Sequence, residues 1–89
     1  MSKKIIVGIS IPDRFQHALE IQRLFTEYGC NIKTRLGLHE VNENMCATCG
    51  LVVLEMVGVI KMIEEFIAKL RLIKGLDVQK MEFGKTMNN

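Results

Sequence analysis

The residues best suited to chemistry in this chain are the pair in Cys46-Ala47-Thr48-Cys49. Cysteines separated by two residues can hold zinc or iron, because both thiolates reach one ion from a tight turn. Such a pair supplies two ligands, whereas a closed structural site takes four. His39 and Cys30 could complete the set, as could a second Cys46/Cys49 pair across a symmetric dimer. The cofactor implied is then a transition metal. Thiol redox chemistry asks for more, since a reactive C-x-x-C sits at a helix N-terminus, where the dipole lowers the thiol pKa. The polar run Glu40 to Asn44 reads instead as a hairpin connection, which puts the pair at the entry to a strand. Loop cysteines without a chemical role are the simpler reading, and metal binding stands beside it.

A second candidate lies at Asp13-Arg14, where a strand hands over to a helix. Backbone N–H groups at a helix start can hold a small anion or carboxylate. Asp13 also serves as an ordinary N-cap. With Ser10 before them and His39 on a later strand, Asp13 and Arg14 form the expected ligand-binding set. His17 falls on the outer side of the helix and reads as solvated. No acid, base and nucleophile converge in this inventory, so the chain is expected not to be an enzyme.

The elements that must position these residues follow a pattern that occurs twice, in which an amphipathic helix ends at a glycine and an apolar strand follows. Ile5, Val7, Ile9 and Ile11 alternate with Ile6, Gly8 and Ser10 in a first strand over Lys4 to Ile11. Pro12-Asp13 stops it and starts a helix striped by Phe15, Ala18, Ile21, Phe25 and Tyr28. Gly29 is expected to end that helix in a left-handed conformation. In the second strand, Ile32, Thr34, Leu36 and Leu38 share one face, and Lys33, Arg35, Gly37 and His39 the other. Leu51 to Val57 is apolar on both faces except at Glu55, as a central strand covered on both sides would be. Val59, Ile63, Phe66, Leu70 and Ile73 stripe a second helix, with Glu65 and Lys69 as an outer i,i+4 pair. Gly75 releases a last strand, Leu76 to Phe83.

Two right-handed β-α-β units joined by a hairpin give an α+β, ferredoxin-like βαββαβ fold. Its antiparallel four-stranded sheet has both helices on one face and the first and third strands at the centre. With Val52, Leu54 and Met56 toward the helices, Ile6, Gly8, Ser10, Leu51, Val53, Glu55 and Val57 face the open side. Lys33, Arg35, Gly37 and His39 are expected to join them. That face is too apolar to stay wet. Ile6, Gly8, Leu51, Val53, Glu55 and Val57, with Arg35 and Gly37, are therefore the expected interface of a homo-oligomer, dimer or tetramer. Glu55 is placed to pair with Lys33 or Arg35.

Composition bounds the rest. The 89 residues make one domain over 3–83 with a short polar tail at 84–89. A hydrophobic fraction of 48% argues for folding rather than disorder. A net charge of +2 is too small to carry a nucleic-acid partner by electrostatics. The central strands also lack the stacking aromatics that an RNA-binding sheet needs. No segment has the length of a membrane span or the form of a signal peptide. Three cysteines, an odd number, fit a reducing compartment, and the cytoplasm is the expected location.

Several segments together carry a family resemblance. They are Val7-Gly8-Ile9 leading to Asp13-Arg14, Leu24-Phe25-Thr26-Glu27-Tyr28-Gly29, and Ile32-Lys33-Thr34-Arg35-Leu36-Gly37-Leu38. Gly50-Leu51-Val52-Val53-Leu54-Glu55-Met56-Val57-Gly58 and the ending Gly75 to Phe83 continue it. The chain resembles the small proteins labelled iron-only hydrogenase system regulators of anaerobic bacteria. That family is similar in fold to ACT domains and to the C-terminal domain of nickel-responsive repressors. The resemblance implies an ACT-like oligomer with a regulatory, ligand-sensing role and a small-molecule or protein partner. The repressors' nickel site uses two histidines one residue apart on the second strand and a cysteine starting the third. This chain offers His39 alone, with Cys49 near the cysteine position. No room for a DNA-binding arm precedes Lys4, so direct DNA binding is not expected.

Overall fold

Four strands and two helices enclose a core that the apolar periodicities foretell. The computed structural model describes residues 4–12, 17–41 and 46–84. The elements are β1 (Lys4–Ile11), α1 (Ala18–Glu27), a 3₁₀ turn (Gly29–Asn31), β2 (Ile32–Val41), β3 (Cys46–Met56), α2 (Ile60–Arg71) and β4 (Asp77–Phe83). All neighbouring strands run antiparallel in the order β2-β3-β1-β4. This is the expected ferredoxin-like arrangement, with β1 and β3 central.

One side of the sheet is closed by the helices. Ile5, Val7, Ile9 and Ile11 from β1 pack there with Leu54 and Met56 from β3 and Val78 from β4. The helices contribute Ile21, Phe25, Ile63, Phe66, Ile67 and Leu70, joined by Tyr28 and Ile73 beyond their ends. Phe66 is fully buried, and its ring centroid lies 6.1 Å from Phe25 and 5.2 Å from Tyr28. Both pairs are tilted, an arrangement the ring quadrupoles favour. Val59, expected in the α2 stripe, is instead the exposed N-cap residue, and Ile67 takes a core position.

The expected Glu65–Lys69 pair gives way to contacts between the helices. The Tyr28 hydroxyl donates to Glu65 Oε1 at 2.9 Å, while Lys69 Nζ donates to Glu27 Oε2 at 3.1 Å. Lys69 also lies 5.1 Å from the Tyr28 ring centroid. Hydrogen bonding to Tyr28, and then to Glu27, holds the Lys69 ammonium above the usual lysine range. Its favourable contribution is thus intact through neutral pH and is lost only in strongly alkaline solution.

Gly29 does not take the left-handed conformation. The chain passes from Tyr28 into the 3₁₀ turn, with Asn31 N–H donating to the Tyr28 carbonyl at 2.8 Å. Among non-terminal glycines, positive φ occurs instead at Gly58 (100°) and Gly75 (93°). Gly58 sits against Asn31, whose side-chain amide donates to the Val57 carbonyl at 3.0 Å. Val57 N–H returns a 2.7 Å bond to the Asn31 carbonyl. A Cβ at Gly58 would stand 2.7 Å from Asn31 Nδ2. Strained φ and lost clamp act together, so Gly58→Ala is expected to lower stability by about 1–3 kcal/mol. Urea denaturation checks this, and an unchanged midpoint would count against it.

Candidate functional site

Strand register lays the open side of the sheet out in rows. The middle row crosses β2, β3, β1 and β4 as Leu36, Val53, Gly8 and Gln79. Beside it runs Thr34, Glu55, Ile6 and Met81. On its other side Leu51, Ser10 and Asp77 are aligned, with Leu38 opposite Leu51 in register. Leu36 (53%), Leu51 (41%), Met81 (55%) and Phe83 (52%) keep much of their surface exposed. Ile6 and Val53 are half-buried among them. Such an apolar face is a candidate association surface.

Several polar groups of the face are bonded within the chain. Glu55 accepts from Thr34 Oγ1 at 3.1 Å, and its other oxygen is 4.0 Å from Lys4 Nζ. Gln79 Nε2 donates to Asp77 Oδ1 at 2.7 Å. The sequence places Glu55 to pair with Lys33 or Arg35, within or between chains; within the chain its partners are Lys4 and Thr34 instead.

The reason is a β-bulge. Ile32 pairs with Met56 and Thr34 with Glu55, so Lys33 is an extra residue on β2 and the register shifts there. One inserted residue turns every later side chain to the opposite face. Arg35 and Gly37, expected on the open side, align with Leu54 and Val52 on the helix side. The Arg35 guanidinium lies 4.7 Å from the centroid of the Phe25 ring, a cation–π contact between β2 and α1. Leu36 takes the open-side place. Met81 and Phe83 belong to the same face through the alternation of β4, a period-two signal present in the sequence.

Of the other expected site residues, those that the structure describes are spread over β1, the start of α1, the 3₁₀ turn and the β2–β3 ladder. Asp13 and Arg14 lie outside the described residues. Ser10 is exposed between Leu51 and Asp77, so it belongs to the open side of the sheet. His17 is the N-cap residue of α1, its Nδ1 2.8 Å from Glu20 Oε1. His39 is aligned with Gly50, level with the last β1 pair, Ile11 with Gly50, and Cys46 is aligned with Val41 beyond it. Cys46 to Cys49 is thus strand, not the tight turn from which two thiolates reach one ion. Cys30 is an exposed thiol in the 3₁₀ turn. It precedes Ile32, whereas Cys46 is aligned with Val41 at the other end of β2, roughly 30 Å away at about 3.3 Å per residue. Cys30 therefore cannot share an ion with Cys46 or Cys49 of the same chain. On the helix layer, Arg23, Leu24, Glu27, Lys69 and Leu72 line a shallow, open groove.

No helix among the described residues is long and apolar enough to cross a membrane. No protein-family model matches the chain, and no curated protein matches it. Among solved structures, it is similar to an uncharacterized protein from Thermotoga maritima. The identity is 21% and the TM-score 0.77, over 93% of this chain and all of that one. It is also similar to CPII, a nitrogen regulatory PII-like protein from Thiomonas intermedia bound to ADP, AMP and bicarbonate. There the identity is 10% and the TM-score 0.52, over 93% of this chain and 97% of that one. A de novo designed protein, Foldit4, matches with 15% identity and a TM-score of 0.53, over 94% of this chain and 99% of that one. A signalling protein and a designed one are equally near, so the likeness shows fold and not activity. The chain has the ferredoxin-like fold that these three proteins share.

Proposed function

We propose that this protein is a non-enzymatic, oligomeric, ligand-sensing module of the ACT-like kind that regulates an iron-only hydrogenase system in the cytoplasm. The observation that carries the reading is the open sheet face, an apolar surface on which Thr34, Glu55, Asp77 and Gln79 are bonded within their own chain. Such a surface serves assembly rather than turnover. A regulatory role is supported by the resemblance to the hydrogenase-system regulators. The likeness to CPII, a regulatory protein on the same fold that is bound to nucleotides, adds to it. Adenine nucleotides are accordingly the first small molecules to try. Direct binding to DNA is no part of this reading.

A metal-handling role for Cys46, Cys49 and His39 is the alternative. It is favoured by their gathering toward one end of the β2–β3 ladder. The extended backbone there asks for ligands from a second chain. Native mass spectrometry of anaerobically purified protein separates the two readings. The regulatory module is expected to fly as a dimer or tetramer of the 10.1 kDa chain without stoichiometric metal. A monomer at all concentrations would overturn the assembly. One metal per chain or per dimer, lost in Cys46→Ser/Cys49→Ser, would establish the alternative.

A further inference from the structure

We infer that a second copy of this chain docks on the open face through a reciprocal knob and dent, Val53 of each copy seating over Gly8 of the other. This rests on the self-association proposed above and specifies its centre. Val53 and Gly8 are direct neighbours in the middle row, on the two central strands. Adjacent strands lie about 4.8 Å apart, so a branched side chain stands beside a position that has none. A Cβ built at Gly8 meets nothing within 4 Å.

Nothing inside one copy calls for glycine at this position. Its φ is not positive, no atom crowds it, and a glycine within a strand weakens that strand. A residue that breaks a local rule without a local reason points to a demand from outside the chain. A two-fold axis running along the strands, midway between β3 and β1, meets that demand. It exchanges the two central strands and carries each row onto itself. Val53 then faces Gly8 of the second copy, twice over, as an isologous contact requires. Leu36 is set opposite Gln79 in the same operation, and sheets stacked in this way cross at a shallow angle that keeps the central row in contact.

Charge favours a second copy over a strongly charged partner. Register puts the ionic groups Lys4, Glu55 and Asp77 on the face, and Lys33 stands exposed at the bulge beside Thr34. Glu55 has Lys4 and Thr34 beside it, and Asp77 has Gln79. The face therefore presents no uncompensated charge block for a partner of opposite sign, and its apolar middle matches itself.

The test is Gly8→Val, read by sedimentation for association and by thermal unfolding at a concentration where the protein is monomeric. Valine has open space and suits a strand, so the monomer is expected to unfold at a higher temperature. The same valine fills the dent in both copies, and overpacking is expected to weaken association by about 100-fold. The exchange variant Gly8→Val/Val53→Gly moves the knob to β1 and the dent to β3, and it should recover association to within about tenfold of wild type. If Gly8→Val assembles as wild type does while Val53→Lys dissociates, the knob and dent fall and the face survives. If neither changes the assembly, both fall. Failure of the exchange variant to recover, with its fold intact by circular dichroism, overturns the placement of the two-fold axis. Gly8→Ala serves the same comparison should the valine variant not fold.

Discussion

Phe66→Ala is expected to lower the free energy of unfolding by about 3–5 kcal/mol, more than any other single truncation in this core. Phe66 has no exposed surface. It is also where the two helices meet, with Phe25 and Tyr28 from the α1 side both against its ring. Truncation removes the apolar transfer term and leaves a cavity that neither ring can collapse into. Phe25 is tied from its other side by the Arg35 guanidinium, and Tyr28 by its bond to Glu65. A domain of this length has a total stability of roughly 5–10 kcal/mol, so the variant is left near the edge of folding. Urea denaturation with the slope held fixed measures the loss. A loss below about 1 kcal/mol would mean that the helices are held mainly by their surface contacts.

The face that closes the core was legible in the sequence because burial is one-sided there. Ile5, Val7, Ile9 and Ile11 can face only inward, and once they do, the antiparallel register brings Leu54 and Met56 to the same side. The same reasoning failed on β2. The alternation of Ile32, Thr34, Leu36 and Leu38 predicts one inward face, but the bulge at Lys33 divides it. Periodicity reports that a face is apolar, not what covers it. On an edge strand whose open side is also apolar, a core and an interface write the same pattern. Glycines raised a similar ambiguity. Gly29 and Gly75 hold equivalent places in the repeat, yet of the two only Gly75 has positive φ, because the chain after Tyr28 runs into a 3₁₀ turn. The C-x-x-C motif suffered in reverse, since its spacing is local but the turn that would give it meaning is not what β3 supplies.

Val53→Lys is expected to abolish assembly while leaving the fold of one copy in place. The position lies at the centre of the open face, half-buried by its neighbours and covered by no element among the described residues. In a single copy the lysine stem can lie along the sheet with its ammonium in water, and the change in monomer stability should stay within about 0.5 kcal/mol. Across a stacked interface the same ammonium is buried without a partner, once from each copy. At about 3–5 kcal/mol for each unpaired buried charge, the two together weaken association on the order of 10⁴-fold or more. Sedimentation should therefore show wild-type oligomer and variant monomer at the same concentration. Thermal unfolding supplies an independent reading, because association makes the midpoint rise with protein concentration. That dependence should vanish in Val53→Lys. Leu72→Lys is the control, as Leu72 is 84% exposed beside the groove on the helix layer and shares no surface with the open face. Assembly unaffected by Val53→Lys, or lost equally in Leu72→Lys, would move the interface off the sheet and onto the helices.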